Sequence, residues 1–272
     1  MSDISRSTKS QLVSLRDYYI KNPDMISSPF FSLNQAKMNL LADILDRLDI
    51  NLKGKDILDV GCGSGQLAEY CKDVDSSSYT GLDINSIYLL KRRLESDFKE
   101  ANFLVANGQY LPFKDASFDW IFCIDVFEHF PDQELAAIEF RRMLRERGGV
   151  FLSIPNYSNI CGLVKIYEER LGGCPRNTWA PFGSWRLQEL EQFMTTTKVK
   201  KLFSKAGFKK LKVIGYNREV VAGLFPWIYH PLIPETIKYR FGELFTFIFG
   251  NIANIFPQLS LHNFWRIKIC GR

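Results

Sequence analysis

The sequence is poor in the residues from which metal sites and disulfide frameworks are built. Its 272 residues include six cysteines, without a CxxC pair, and only three histidines. These counts exclude a zinc ribbon and a disulfide-stapled scaffold. We therefore expect the cysteines to be reduced thiols, as in cytosolic proteins.

A long apolar run is also missing. The longest stretch without a charged residue, 244–265, contains Asn, Pro, Gln and His, which a helix crossing hydrocarbon tolerates poorly. The N-terminal segment lacks the apolar core of a signal peptide. We expect a cytoplasmic protein, with contact at the inner membrane surface as an alternative.

The charge balance excludes a strongly basic nucleic-acid-binding protein. There are 35 Lys and Arg against 30 Asp and Glu, a formal net charge of +5. Hydrophobic residues make up 46% and charged residues 24%, as in ordinary globular proteins. We predict a folded protein and no nucleic-acid partner.

Short apolar segments alternate with helical patterns from residue 55 to 155, which is typical of a parallel sheet covered by helices. The pattern predicts strands at 55–60, 78–83, 102–107, 118–125 and 148–155, and helices at 65–73, 86–98 and 132–145. It also predicts helices around 8–21 and 40–48, a capped helix at 195–208, and strands at 209–216 and 264–272. The fold class is α/β, with a doubly wound, Rossmann-like sheet that is mostly parallel and has an antiparallel last strand, N-terminal helices and two insertions.

A glycine-rich loop, DVGCGSG (59–65), directly follows the first predicted strand. Glycines there let backbone N–H groups approach a nucleotide-like cofactor closely. A dinucleotide site needs a third glycine at position 66, which is Gln, so the GxGxxG pattern is not met. Asp59 suits a ligand with an ammonium group better than a pyrophosphate, and Asp83 can accept hydrogen bonds from both ribose hydroxyls.

The chain resembles the class I S-adenosylmethionine-dependent methyltransferases, in particular the small-molecule and quinone O-methyltransferases. The matching segments are ILDVGCGSG (57–65), TGLDIN (80–85), NGQYLPFKDASFDWIFC (107–123), DVFEHFPD (125–132) and GGVFLSIPN (148–156). The resemblance implies S-adenosyl-L-methionine as the cofactor. It implies that Asp59 and the glycines hold its methionine part, Asp83 the ribose, Ile84 one face of adenine, and Asn107 with Gly108 the adenine edge.

The predicted cofactor-binding residues therefore form one set at the carboxyl end of the sheet. They are Asp59, Gly61, Cys62, Gly63, Gly65, Asp83, Ile84, Asn107, Gly108 and Cys123. The two cysteines are also compatible with small buried hydrophobic residues. Asn107 stands where the family usually has Asp, and its amide oxygen can still accept a hydrogen bond from adenine.

His129 is the predicted catalytic residue, because an imidazole near the end of the fourth strand can remove a proton from a hydroxyl acceptor at neutral pH. The alternative is a structural role in ordering its loop. Asp125, Glu128 and His129 together also resemble the magnesium site of quinone O-methyltransferases, although we predict no metal.

The resemblance and the two irregular segments divide one methyltransferase domain into six parts. These are an N-terminal helical cap (1–50), a cofactor-binding core (51–156), an insertion or lid (157–194), a core helix and strand (195–216), an apolar insertion (217–260) and a last strand (261–272).

Aromatic and apolar residues in the two insertions indicate the acceptor. The first insertion carries Tyr167, Trp179, Phe182 and Trp185, and the second carries LFPWIYHPLIP (224–234) and an apolar stripe from Ile237 to Ile255. We expect O-methylation of a small acceptor that is apolar or lipid-linked. A sugar or polysaccharide precursor as acceptor, and a non-catalytic S-adenosylmethionine-binding or scaffold protein, are the alternatives. Residues 220–258 are compatible with peripheral membrane contact or a homodimer interface.

Overall fold

The structure is a computed structural model that describes residues 35–85, 98–172, 190–229, 232–250 and 252–269, together with Asp17 and Lys21. The helices predicted around 8–21 and at 86–98 lie outside the described residues, apart from Asp17, Lys21 and Phe98. Trp179, Phe182 and Trp185 also lie outside them.

Seven strands form one mixed sheet. They are β1 (Asp56–Val60), β2 (Ser78–Asp83), β3 (Ala101–Val105), β4 (Phe118–Ile124), β5 (Leu144–Pro155), β6 (Lys210–Gly215) and β7 (His262–Lys268). Their order is β3-β2-β1-β4-β5-β7-β6, with β7 antiparallel to β5 and β6 and the other pairs parallel. The predicted mostly parallel sheet with an antiparallel last strand is confirmed.

Helices lie between and beyond the strands. They are α1 (Gln35–Arg47), α2 (Leu67–Asp73), α3 (Gln133–Met143), α4 (Ile160–Leu171), α5 (Thr196–Lys205), α6 (Asn217–Leu224), α7 (Glu235–Phe249) and α8 (Ile252–Ile255). Short 3-10 turns occur at Phe127–His129, Pro226–Tyr229 and Pro257–Leu259.

Two apolar layers cover the two faces of the sheet. Leu41 of α1 and Leu67 of α2 belong to one buried cluster, which also contains Phe122 of β4. Phe140 of α3 and Phe203 of α5 belong to the other. Alternate residues of each strand face opposite layers, so the central strands are buried on both sides, as in other doubly wound sheets.

The sequence signals for helix ends correspond to real caps. The side chain of Thr195 accepts a hydrogen bond from Lys198 N–H at the start of α5, and Asp132 does the same for Leu135 at the start of α3. Gly207, just beyond α5, has a φ of +93°, which glycine adopts without strain. The predicted capped helix at 195–208 is thus confirmed.

The two irregular segments contain regular helices, which the sequence analysis did not place. The first includes α4, and the second includes α6, α7 and α8. The apolar stripe divides between inside and outside: Phe245 is buried in a small cluster with Val220 and Val221, whereas Leu244 and Ile248 are exposed. Phe245 therefore belongs to the interior and not to the outer surface of this segment.

The described helices are all too short or too polar to span a lipid bilayer.

The topology brings the carboxyl ends of several strands together at one edge of the sheet. The carboxyl ends of β1, β2, β4 and β5 meet there because these strands are parallel. His262, the first residue of the antiparallel β7, pairs with Pro155, the last residue of β5, and so joins the same edge. Ligands of doubly wound proteins bind outside this edge.

Candidate cofactor and acceptor site

The glycine loop adopts a conformation that only glycines reach at low cost. Gly61, Gly63 and Gly65 have φ values of +75°, +51° and +69°. The N–H groups of Gly61 and Cys62 both donate to the carbonyl of Leu82, at 2.8 and 3.0 Å. The loop is thereby fixed between the ends of β1 and β2.

Asp83 at the end of β2 holds this loop. Its carboxylate accepts hydrogen bonds from Gly63 N–H at 2.9 Å and from Asn85 N–H at 2.8 Å. Burial raises the pKa of Asp83, and the backbone N–H groups that it accepts oppose this rise. A carboxylate has about four acceptor positions, so Asp83 retains capacity for two ribose hydroxyls.

Asp59 is almost fully buried and is bonded by Tyr79. The Tyr79 hydroxyl donates to Asp59 Oδ2 at 2.7 Å. Burial raises the pKa of Asp59 to about 7, against the lowering effect of this hydrogen bond, and the charge of Asp83 adds to the rise. An ammonium group beside Asp59 would favour its ionised form.

Asn107 and Gly108 form a tight turn after β3. Asn107 Oδ1 accepts from Gln109 N–H at 3.0 Å, a side-chain turn that an Asp would also form. A Cβ at Gly108 would lie 2.5 Å from Val60 Cγ1 and 2.8 Å from Phe130 Cζ. Only glycine therefore fits between the end of β1 and the loop after β4.

The remaining predicted cofactor residues differ in exposure. Ile84 is half-buried after β2, where a contact with adenine stays a prediction. Cys62 is half-buried in the glycine loop. Cys123 is fully buried in the core cluster that also contains Val60 and Phe127, and burial raises its thiol pKa well above the ordinary value. Two roles were predicted for Cys123, cofactor binding and that of a small buried hydrophobic residue. Its side-chain environment favours the second.

The end of β4 carries a strained residue. Asp125 has a φ of +51°, uncommon for a residue with a side chain. Its N–H donates to Ser153 O at 3.0 Å, and Ser153 Oγ donates to Asp125 Oδ1 at 2.7 Å. The next residue, Val126, lies against Gly61, so the end of β4 adjoins the glycine loop.

His129 stands in the turn that follows Val126. Its Nδ1 lies 2.6 Å from the carbonyl oxygen of Leu190, and because a carbonyl only accepts, Nδ1 carries the proton and Nε2 the lone pair of the neutral ring. Burial lowers the pKa of His129, while the Leu190 bond and the charge of Asp125 act in the opposite direction. The geometry therefore provides a neutral imidazole with a basic Nε2.

The magnesium alternative finds no support in the geometry. His129 Nε2 lies 3.9 Å from Glu128 Oε1. Among residues 35–85, 98–172 and the other described ranges, no three His, Cys, Asp or Glu side chains are grouped to hold a metal ion.

Several polar residues at this edge escaped the sequence analysis. His262 is 2% exposed, with Nδ1 3.4 Å from Glu219 Oε2 and Nε2 3.8 Å from Asp125 Oδ1. Burial lowers the pKa of His262, but the Glu219 bond and the nearby carboxylates outweigh this and raise it overall. Tyr157 donates to Glu191 Oε1 at 2.7 Å. The sequence signal that could have identified them was a histidine inside the apolar segment 261–265.

The fold and the loop define an α/β protein that binds a nucleotide-like cofactor at the switch point of its sheet. Carboxylates at the ends of β1 and β2 fit the ammonium and ribose groups of S-adenosylmethionine, and the positive-φ glycine turn lets a ligand approach the backbone closely. The same carboxylates fit a pyrophosphate poorly, because Asp59 and Asp83 add negative charge to it.

Comparison with known proteins agrees with this assignment. Residues 58–152 match the family described as a methyltransferase domain. The chain is 29% identical to a tRNA carboxymethyltransferase of Nautilia profundicola over 61% of this chain and 51% of that protein. It is 36% identical to an O-methyltransferase of Aspergillus nomiae over 42% of this chain and 52% of that protein. The chain spans about half the length of these curated relatives.

A solved structure shows the same fold at low identity. It is an S-adenosylmethionine-dependent methyltransferase from Mesorhizobium loti, with a TM-score of 0.56, 14% identity, and coverage of 83% of this chain and 95% of that one. Residues 58–152 are therefore a methyltransferase domain, and the chain shares the fold of an S-adenosylmethionine-dependent methyltransferase.

Proposed function

We propose that the protein methylates a hydroxyl oxygen of a small acceptor that is apolar or lipid-linked, with His129 as the general base. The observation that carries this proposal is the state of His129. Burial favours the neutral ring, and the Leu190 carbonyl fixes the proton on Nδ1, which leaves the lone pair on Nε2. The turn that carries it begins beside the glycine loop.

The residues of this chain bind and position the reactants. S-adenosylmethionine supplies, when bound, a methyl group on a positively charged sulfur. Asp83 would hold the ribose, the glycine loop would lie against the methionine part, and Asp59 would pair with the ammonium group. His129 Nε2 accepts the proton of the acceptor hydroxyl, which makes its oxygen the nucleophile.

An oxygen acceptor has support from the relatives as well as from His129. The Aspergillus nomiae relative is named an O-methyltransferase. The Nautilia profundicola relative is named for tRNA, but the net charge of this chain is only +5, which gives little basis for a nucleic-acid partner.

Exposed apolar residues near the C-terminal end support an apolar or lipid-linked acceptor. Phe247 is 87% exposed on α7, and Leu244 and Ile248 are also exposed on that helix. Such a surface suits a lipid bilayer, whose headgroup region accommodates exposed aromatic and apolar side chains. We propose that residues 220–258 bring the protein to a membrane.

The proposed base is tested by replacing His129 with Gln and following methyl transfer against pH. Wild-type turnover is expected to reach half of its maximum at a lower pH than an ordinary histidine would give, because burial lowers the pKa of His129. The variant is expected to lose at least about tenfold in turnover, with a residual rate that rises with pH as the acceptor ionises unaided.

Affinity for S-adenosylhomocysteine, measured by calorimetry, is the control and should change little in His129→Gln. A loss of cofactor binding would instead make His129 a structural residue. Mass spectrometry of the product distinguishes a hydroxylated lipid from a sugar precursor. Cofactor binding without methyl transfer to any hydroxyl acceptor would favour the non-catalytic alternative.

A further inference from the structure

Four carboxylates meet at the edge of the sheet beside the glycine loop, and we refer to them as the acidic cluster. They are Asp125, Glu128, Glu191 and Glu219. Glu128, Glu191 and Glu219 are 2%, 8% and 4% exposed, and the side chain of Asp125 is 13% exposed. Burying carboxylates is costly unless cations or hydrogen-bond donors compensate them.

Two members of the acidic cluster lie on either side of a histidine. His262 lies with Nδ1 3.4 Å from Glu219 Oε2 and with Nε2 3.8 Å from Asp125 Oδ1. Its raised pKa, which results from these neighbours in spite of burial, favours the imidazolium form. Asp125 and Glu219 therefore have a compensating group within the cluster.

Glu128 and Glu191 are held next to each other by the backbone. Gln192 N–H donates to Glu128 O at 3.0 Å, and His129 Nδ1 donates to Leu190 O at 2.6 Å. These two bonds flank Glu191 and join residues 190–192 to the turn that carries Glu128.

Glu128 and Glu191 have the only carboxylate oxygens that are both buried and without a hydrogen-bond partner in the part of the chain that the structure describes. These atoms are Glu128 Oε2 and Glu191 Oε2. Tyr157 bonds the other oxygen of Glu191. The nearest buried lysine, Lys165, donates to Glu169 at 2.6 Å. Unpartnered buried oxygens of this kind are rare in proteins and commonly mark a place where a ligand binds.

We propose that Glu128 and Glu191 bind an ammonium group of the methyl acceptor, in a subsite next to the proposed base. This subsite rests on the proposed function, because it assigns a second recognition element to the same acceptor. It limits the acceptor to molecules that carry a protonated amine as well as the hydroxyl that is methylated.

Charge and donor number favour an ammonium group over a second hydroxyl. An ammonium group has three N–H donors and a positive charge, so it can bond both unpartnered oxygens and neutralise the excess negative charge. A hydroxyl has one donor and no charge. A protonated amine has no lone pair to receive a methyl group, so it anchors the acceptor and leaves the hydroxyl to react.

Both glutamates have raised pKa values in the free protein, and an ammonium group beside them would favour their ionised forms. Burial and the charges of Asp125 and Glu191 raise the pKa of Glu128 well above its ordinary value. Burial raises the pKa of Glu191 to about 7, although the Tyr157 hydroxyl and Lys165 lower it. Perturbed pKa values of this kind cluster at functional sites.

Benzylamine and benzyl alcohol test the subsite, because they have the same shape and differ in the ammonium and hydroxyl groups. Their binding to the full chain is measured by calorimetry, with and without S-adenosylhomocysteine. Benzylamine is expected to bind at least about tenfold more tightly than benzyl alcohol, as a charge-assisted pair should. Glu128→Gln and Glu191→Gln should each weaken benzylamine by about fivefold or more and leave benzyl alcohol unchanged.

Glu146→Gln is the matched control, because Glu146 is exposed on β5, and it should bind both compounds like the wild type. Equal binding of the two compounds to the wild-type protein, or benzylamine binding that both variants retain, would overturn the subsite. The wild-type comparison needs no variant, so it holds even if a variant does not fold. Failure of S-adenosylhomocysteine to bind would count against the proposed function instead, since benzylamine is also measured without it.

Discussion

A Cβ on Gly61 would lie 2.4 Å from Cγ2 of Val126. Gly61, the first glycine of the loop, and Val126, the second residue after β4, are thus in direct contact, with no space for a side chain between them. This contact joins the cofactor loop to the turn that carries Glu128 and His129. It also explains why the loop needs glycine at position 61 for two separate reasons, its positive φ and its closeness to Val126.

The two reasons can be separated by comparing Gly61→Ala with Gly54→Ala. Gly54 has a φ of +65° but nothing within 4 Å of its Cβ position, so its replacement is expected to cost about 1 kcal/mol from backbone conformation alone. Gly61→Ala should cost more in unfolding free energy and also weaken S-adenosylhomocysteine binding. Urea unfolding and calorimetry measure the two effects.

Val126→Ala should recover part of the loss in the double variant, because it removes the methyl groups that the new Cβ meets. A double-mutant cycle gives this coupling directly. Equal costs for Gly54→Ala and Gly61→Ala, or no coupling with Val126→Ala, would contradict the argument from contact.

Asp83→Asn is expected to weaken S-adenosylhomocysteine binding by about tenfold or more, because hydrogen bonds from ribose hydroxyls to a charged acceptor are worth roughly 1.5–3 kcal/mol each. Part of this loss of binding should come from a less ordered glycine loop, since Asp83 also accepts hydrogen bonds from Gly63 N–H and Asn85 N–H. Asp73→Asn, at an exposed position at the end of α2, is the control for calorimetry. An unchanged dissociation constant in a folded Asp83→Asn variant would leave Asp83 with a structural role alone.

Asp59 makes stability depend on pH. Burial raises its pKa to about 7 in the folded protein, and the charge of Asp83 contributes, whereas in the unfolded chain it is about 3.9. Between these values the unfolded chain has released a proton that the folded protein keeps. The free energy of unfolding therefore falls as pH rises from about 4 to about 7, by roughly 4 kcal/mol at most for this group.

Urea unfolding of the cofactor-free protein at pH 5 and pH 8 measures this fall. Asp59→Asn should reduce it, because the amide does not ionise. Part of the fall should persist through Glu191, whose pKa is also raised to about 7, and Asp73→Asn should behave like the wild type. The same fall in Asp59→Asn as in wild type would mean that Asp59 is already ionised at pH 5.

The sequence was sufficient to predict the sheet and the cofactor loop, because both depend on local patterns. Strand periodicity, the glycine spacing at 61, 63 and 65, and the cap at Thr195 are each read from a few adjacent residues. His262 and Glu219 differ, because their importance comes from contacts between distant parts of the chain: His262 lies between Asp125 and Glu219. The antiparallel pairing of β7 with β5 brings His262 there, and no local spacing encodes that register.

The apolar stripe on α7 shows a second limit of sequence reasoning. Helical periodicity identifies which residues share a face, but it does not tell which neighbour covers that face. α6 packs on α7 and buries Phe245 together with Val220 and Ile228, while Phe247, two positions further along the helix, is 87% exposed. Two aromatic residues of the same helix therefore have opposite environments.

This difference provides the last prediction, which tests the proposed membrane contact. Phe247→Ser should leave the free energy of unfolding within about 0.5 kcal/mol of wild type, since an exposed side chain contributes little to folding. Phe245→Ser should lower it by about 3 kcal/mol or more, because it removes a ring from a buried cluster.

If α7 contacts a bilayer, Phe247→Ser should also reduce flotation with vesicles of anionic and neutral phospholipids by several-fold, with S-adenosylhomocysteine affinity unchanged. If the exposed face instead joins two copies of the chain, the same variant should shift the protein from dimer to monomer in sedimentation and leave flotation as it was. That result would remove the support that these residues give to a lipid-linked acceptor.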